Sequence, residues 1–346
     1  MTTPMTITDI DAAWLSDVLG RTVAVSSLQV IGAGQGFMGQ LARVTLGDGS
    51  SVVVKMPTTD PGGLMIGQMM RVWEREFRFY TEIAPAMQGV SIPRCLFASE
   101  NPWILILEDL APAEPGDQVV GPTLERARQV IDTAAALHGS WFDHPKLSEL
   151  AWMPDLNDPM NESIGTLFPI GWPTFLERYG NELPERVLRW CEEFAPRVVE
   201  WIGSYAHWPN TLVHGDFRLD NMFFTHEGRV VLIDWQLAMR APSTTDLVYF
   251  LGTNLPIDMR RAHQHELLDR YCRGLRAHGV PEEWSDPETI LRGYSEGVLF
   301  FCTSFAASIL TLDTANSRGT ALMDALVRRS FDAADELEAG SRLGLS

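Results

Sequence analysis

The sequence predicts an α+β protein in two parts: a small antiparallel sheet carrying one helix, then a larger, mainly helical part. Three observations lead there. Short alternating apolar segments crowd the first 110 residues, and helically spaced, aromatic-rich segments fill most of the remainder. A dense run of His, Asp and Asn sits between two short apolar strands in the second part. With 346 residues the chain is long enough for two such parts and a sizeable core.

Taken in order, Thr8 followed by DIDAAWLSDVLG reads as a capped amphipathic helix. SSLQVIGAG, QLARVTLGDG and SSVVVKMP alternate as strands do, with Gly47-Asp48-Gly49 as the hairpin turn between the last two. Residues 66–84 have helical spacing and mixed charge, which predicts one helix. IPRCLFASE and WILILEDL add two further strands. Beyond Leu110 the stretch APAEPGDQVVGPT is rich in Pro, Gly and Asp, so the boundary is expected there, giving domains 1–110 and 111–346. ERARQVIDTAAALHGSWF then predicts a helix, and the rest reads as helical apart from strands around LVHGD and VVLIDW.

Composition excludes several function classes. A formal net charge of −18 argues against a nucleic-acid binder, which needs a basic face for phosphates. The four cysteines, Cys95, Cys191, Cys272 and Cys302, are scattered and suggest neither a zinc site nor a disulfide framework. VLFFCTSFAASIL, residues 298–310, is too short and interrupted for a membrane span and reads as a buried helix, so no membrane association is expected. The N-terminus lacks a basic segment before an apolar one, which predicts no signal peptide. Together these features place the protein in the cytoplasm.

The chemistry-bearing residues form a set. Gly34-Gln-Gly36-Phe-Met-Gly39 fits G-x-G-x-x-G, a pattern that two unrelated folds use. In a dinucleotide-binding domain a helix would follow it; the strand and hairpin expected here suit a glycine-rich flap whose backbone amides approach phosphates. Lys55 ends the apolar run SVVVK and needs a carboxylate to orient it. Glu74, Glu76 and Glu82 are available, and Glu76 is favoured because Phe77 and Tyr80 would mark an adjacent packing face. The strongest signal is His214-Gly215-Asp216, four residues and then Asn221, followed thirteen residues later by Asp234 at the end of VVLID. Phosphoryl transfer needs a carboxylate to accept the proton of the attacking hydroxyl, which suits Asp216. It also needs oxygen ligands for Mg2+ on the phosphates, which suits Asn221 and Asp234.

HGDxxxxN with IDW, the glycine loop, VVVK and ILILEDL together resemble the aminoglycoside phosphotransferase and choline kinase-like families. FRLDN and IDWQ with DLVYFL look like the ecdysteroid kinase-like branch, and the resemblance covers nearly the whole chain. It implies a bilobed protein-kinase-like fold, an N-terminal nucleotide-binding lobe, and a helical lobe with the catalytic loop and acceptor site. The cofactors implied are ATP, with GTP possible, and Mg2+. Lys55 would then bind the phosphates, and backbone groups near Glu108 and Leu110 would meet the adenine. Asp246 looks like a family aspartate that supports the catalytic loop, and His138 matches a recurrent structural histidine. HGD in place of HRD, IDW in place of DFG and no APE-like segment set the chain apart from phosphorylation-gated protein kinases.

The expected function is thus ATP-dependent transfer of a phosphate to a small-molecule hydroxyl. A non-catalytic nucleotide-binding scaffold is the alternative, and an oxidoreductase would rest on the glycine triplet alone. The acceptor pocket is expected from parts of residues 140–205 and 250–346, whose many aromatic residues suit a core or an apolar cleft for a lipophilic alcohol. Asp155, Asp158 and Glu162 could instead receive an amino sugar or amino alcohol.

Overall fold

The structure, a computed structural model, describes residues 3–32, 38–205, 207–310 and 317–346. The chain forms two compact units, Met1–Glu114 with Val231–Leu237, and Pro115–Val230 with Ala238–Ser346. It is an α+β protein with an antiparallel sheet in its N-terminal region and a larger helical C-terminal region.

In the first unit β1 (Val25–Ile31), β2 (Gly39–Leu46), β3 (Ser51–Pro57), β4 (Cys95–Glu100) and β5 (Trp103–Glu108) form one sheet. Their spatial order is β1-β2-β3-β5-β4, with every neighbouring pair antiparallel. Gly39 opens a strand rather than a helix, so the glycine triplet does not sit in a dinucleotide-binding unit. The hairpin at residues 47–49 closes with the Leu46 N–H donating to Ser50 at 2.8 Å, and Gly49 takes a φ of 84° that favours glycine. Alternation buries Ala42, Val44 and Leu46 of β2 and Val52, Val54 and Met56 of β3 on one face. There they pack on Ile7, Ile10, Trp14 and Leu15, the last two from α1 (Ala12–Val18), at about 1.5–3 kcal/mol for each large apolar side chain. The same period of two turns Lys55 to the opposite face.

Two local expectations are corrected. α1 is capped by Asp11, which accepts from the Trp14 N–H at 2.7 Å; Thr8 lies inside a preceding 3-10 turn, Ile7–Asp9. The single helix expected over 66–84 is broken into α2 (Pro61–Met69), α3 (Val72–Arg78) and a π turn, Phe79–Ile83. Asp60 caps α2 through Gly63, and Pro61 fits the first helical turn, so α2 starts early. Arg71 then takes a left-handed φ of 53°, which folds Trp73 back onto Gly67. A β-carbon on Gly67 would lie 2.6 Å from the indole, so only glycine permits that approach.

The second unit begins with α4 (Leu124–Ser140), capped by Thr123. Its long helices include Ile164–Tyr179, Ile257–Ala277, Pro287–Ser308 and Ser317–Glu336. The apolar run near residue 300 lies inside Pro287–Ser308, with Val298, Leu299, Cys302 and Ala306 buried. Asn210–Val213 is the strand expected around LVHGD, and it pairs antiparallel with Met239–Pro242, a strand the sequence did not suggest.

Candidate active site

The first unit brings together a lysine and two carboxylates. β3 delivers Lys55 and α3 delivers Glu76; the ammonium lies 2.9 Å from Oε1 and 2.7 Å from Oε2 of Glu76. Glu74 and Glu82 instead pair with Arg78, at 3.0 and 2.8 Å. The Lys55 ammonium also donates to Oδ1 of Asp234 at 2.7 Å. Residues 231–237 are held in this unit by the Leu232 N–H donating to Ser91 at 2.9 Å and by Trp235 stacking on Phe79, ring centres 3.9 Å apart. Asp234 takes a left-handed φ of 65°, which Asp tolerates at a cost of about 1 kcal/mol. Gly39 sits beside this trio: a β-carbon there would lie 3.7 Å from Lys55 Cε and 3.9 Å from Gln236 Nε2. Gly34 and Gly36 lie outside the described residues.

Burial by itself would lower the Lys55 pKa, but the Asp234 and Glu76 carboxylates outweigh it and hold the ammonium charged. Glu76 is fully enclosed, and burial pushes its pKa up to about 7, with Lys55 pulling the other way and Asp234 adding to the rise. Because this pKa is raised on folding, the folded chain holds a proton that the unfolded chain releases at lower pH. The contribution is therefore present at acid pH and is lost as pH rises towards 7. We expect the unfolding midpoint of the metal-free protein to fall between pH 5 and 7.5 relative to a Glu76→Gln variant, by the equivalent of about 1–3 kcal/mol. Calorimetry of both proteins across that range checks it; parallel curves would contradict it.

At the end of β5, Asp109 is clamped by Arg43, with Nε and Nη2 at 2.6 and 3.0 Å, and by the Ser51 hydroxyl at 2.6 Å. Next to it the Glu108 N–H donates to the Arg94 carbonyl at 2.9 Å, and the Leu110 carbonyl accepts from Ala113 at 2.8 Å.

The second unit holds the other predicted residues in the loop after Asn210–Val213. Gly215 has a φ of 78°, so the chain turns sharply there. Asp246, fully buried, accepts from the N–H groups of His214 and Gly215 at 2.6 and 2.9 Å. His138 stands behind it, Nε2 3.1 Å from Asp246 and Nδ1 2.7 Å from the Tyr271 hydroxyl. Asp216 and Asn221 meet: the Asn221 amide nitrogen donates to Asp216 Oδ2 at 2.8 Å and to its carbonyl at 3.0 Å. Arg218 Nε adds a hydrogen bond to the same carboxylate at 3.0 Å.

Several residues that fix this loop were not singled out in the sequence. Asn254 accepts from the Leu219 N–H at 2.8 Å, and Asp220 accepts from the Gln118 N–H at 2.9 Å. Gly116 donates to the Met222 carbonyl, and a β-carbon on it would fall 2.3 Å from the Leu219 carbonyl oxygen. Arg218 had a possible signal in its place two residues after Asp216; Asn254 and Gly116 had none.

Asp155, Asp158 and Glu162 are otherwise engaged or outward-facing: Asp155 pairs with Arg240 at 3.1 Å, Asp158 caps a helical turn, and Glu162 is exposed. Among the described residues no group of three or more His, Cys, Asp or Glu is arranged to hold a metal ion.

The model of the ecdysteroid kinase-like family matches residues 33–279. Among solved structures, a spectinomycin phosphotransferase in complex with ADP and spectinomycin superposes with a TM-score of 0.58 at 15% identity, covering 95% of this chain and 99% of that one. The choline kinase of Streptococcus pneumoniae gives 0.54 at 13% identity, covering 94% and 98%. The ethanolamine kinase of Plasmodium vivax gives 0.54 at 12%, covering 88% and 84%. Among curated proteins, acyl-CoA dehydrogenase family member 10 of Mus musculus is 32% identical over 101 residues, which span 23% of this chain and 9% of that protein.

Proposed function

Because the chain belongs to the ecdysteroid kinase-like family, we propose that it moves the γ-phosphate of a magnesium-bound nucleoside triphosphate, ATP or GTP, onto a hydroxyl of a small molecule. The observation that carries this reading is the buried Lys55 facing both Glu76 and Asp234. An ammonium so enclosed and oriented is suited to gripping phosphate oxygens. On this reading residues 1–110 form the nucleotide-binding lobe, and residues 111–346 carry the catalytic loop and the acceptor site.

Asp216 accepts the proton of the attacking hydroxyl. Asn221 and Arg218 hold its carboxylate in place, and Asp246 fixes the turn before it. Gly39, with Gly34 and Gly36, gives the phosphates a backbone cradle. At the end of β5 the Glu108 N–H and the Leu110 carbonyl are engaged, so contacts to adenine fall to the Glu108 carbonyl and the Leu110 N–H.

The residues present fit magnesium. Asn221 uses its amide nitrogen towards Asp216, which leaves its amide oxygen as a ligand, and Asp234 brings a carboxylate, both hard oxygen donors. When bound, the metal neutralises charge on the phosphates. No helix among the described residues is long and apolar enough to cross a membrane. We place the protein in the cytoplasm, a reducing compartment that suits its scattered cysteines.

Thermal unfolding tests the reading with ATP, GTP and NADH, each with and without magnesium. A magnesium-dependent rise with ATP or GTP is expected, worth about 2.7 kcal/mol at a hundredfold excess over the dissociation constant. A rise with NADH alone, or none with any nucleotide, would overturn it.

A further inference from the structure

The second unit contains a cavity of about 240 Å³ that has no part in holding Lys55, Asp216 or their partners. Leu156, Ile164, Leu167, Val248 and Phe301 form apolar walls, and Gly215, the residue before Asp216, lies at its edge. Phe301 meets Tyr249 edge to face at 5.1 Å, and the Tyr249 hydroxyl lies beside the Asp216 carboxylate. At Gly215 the cavity also borders the loop that carries the candidate base.

None of the residues lining this cavity carries a charge. Its polar side chains are largely turned inward: Ser163 and Ser304 donate to the Met160 and Phe300 carbonyls at 2.7 Å, and Asn161 donates to Leu156 at 3.1 Å. Thr245 Oγ1, buried, has no hydrogen-bond partner among the described residues.

An aromatic lining can also hold a cation, but only by presenting ring faces. Here Trp201, the strongest cation-binding ring of the lining, stacks on Tyr205 at 4.8 Å and on Phe300 at 5.1 Å, so its faces are taken up by its neighbours. Ring edges are electropositive and repel an ammonium. The volume equals that of about eight water molecules, which limits the acceptor to a small body or to one end of a longer one.

Resting on the phosphotransfer reading above, we propose that this cavity takes the acceptor, and that the acceptor is a small uncharged alcohol with an apolar body. Amino sugars and amino alcohols are disfavoured. The acceptor hydroxyl gives its proton to Asp216, and its oxygen bonds to the γ-phosphorus. The bond from that phosphorus to the bridging oxygen breaks, and the nucleoside diphosphate leaves.

Geraniol is a suitable uncharged probe, with choline and glucosamine as cationic competitors. Binding is read by saturation-transfer NMR on the full chain, and transfer by ADP release with magnesium-ATP. Geraniol should bind, and should be preferred in kcat/KM over choline and glucosamine. Leu167→Glu, at the partly exposed rim, and Ser304→Trp, which fills the cavity, should each weaken geraniol binding about tenfold or more. Both should leave the magnesium-ATP shift of the unfolding midpoint unchanged. Preference for choline or glucosamine, no geraniol binding, or binding untouched by both variants would overturn the proposal. Geraniol binding without any magnesium-ATP shift would support the cavity and overturn the phosphotransfer reading instead.

Discussion

Replacement of Asp216 by Asn should lower kcat about a thousandfold while leaving the magnesium-ATP shift of the unfolding midpoint intact. The argument is local. The carboxylate is held by the Asn221 amide at 2.8 Å and by Arg218 at 3.0 Å, and an asparagine of the same shape can keep the first of these contacts. What it cannot do is take a proton from the attacking hydroxyl. Stopped-flow or steady-state ADP release, together with a thermal shift on the same preparation, separates the two effects. Wild-type turnover in that variant would remove Asp216 from the role of base. Equal loss of turnover and of nucleotide binding would mean that the loop had moved instead.

Replacement of Lys55 by Met should be costly in two ways. It strips the ammonium from Glu76 and from Asp234, leaving a buried carboxylate beside a partly exposed one. Breaking such a pair by deleting one side costs about 3–5 kcal/mol, and the lower end applies because Asp234 is about a third exposed. Turnover should fall about a hundredfold or more, as when one charge-stabilising group is removed. The double variant Lys55→Met, Glu76→Gln should recover much of the stability and none of the turnover, because it removes the enclosed negative charge without restoring a phosphate ligand. Denaturant titration of the three proteins measures the first effect and ADP release the second. Full additivity of the two substitutions in stability would show that the pair is not coupled.

The parts legible in the sequence were those whose physics is local. β2 and β3 announce themselves through alternation, and Gly47-Asp48-Gly49 through turn chemistry. His214, Asp216 and Asn221 lie within one short loop, so their spacing alone brought them together. The break between α2 and α3 was not legible. Arg71 has no residue-level signal for a left-handed conformation, and the break is stabilised by Trp73 closing onto Gly67. The strand Met239–Pro242 ends in proline and exists only through its register with Asn210–Val213. Which of three glutamates meets Lys55 is likewise a matter of packing: Arg78 engages Glu74 and Glu82, and Glu76 reaches the lysine. Asn254 and Gly116 secure the loop from far along the chain, beyond the reach of any motif.

The Lys55–Asp234 contact spans 179 residues of chain, and it has a bearing on biosynthesis. A ribosome adding about 5–20 residues per second delivers Asp234 roughly 10–40 s after Lys55. Once Glu108 has been made the five-stranded sheet can be complete, yet Phe79 still lacks the ring of Trp235 that stacks on it and the lysine lacks Asp234. The nascent chain thus carries an uncovered aromatic face until two-thirds of it has been made. It is in this window, more than in the finished protein, that chaperone binding to the emerging polypeptide would be concentrated.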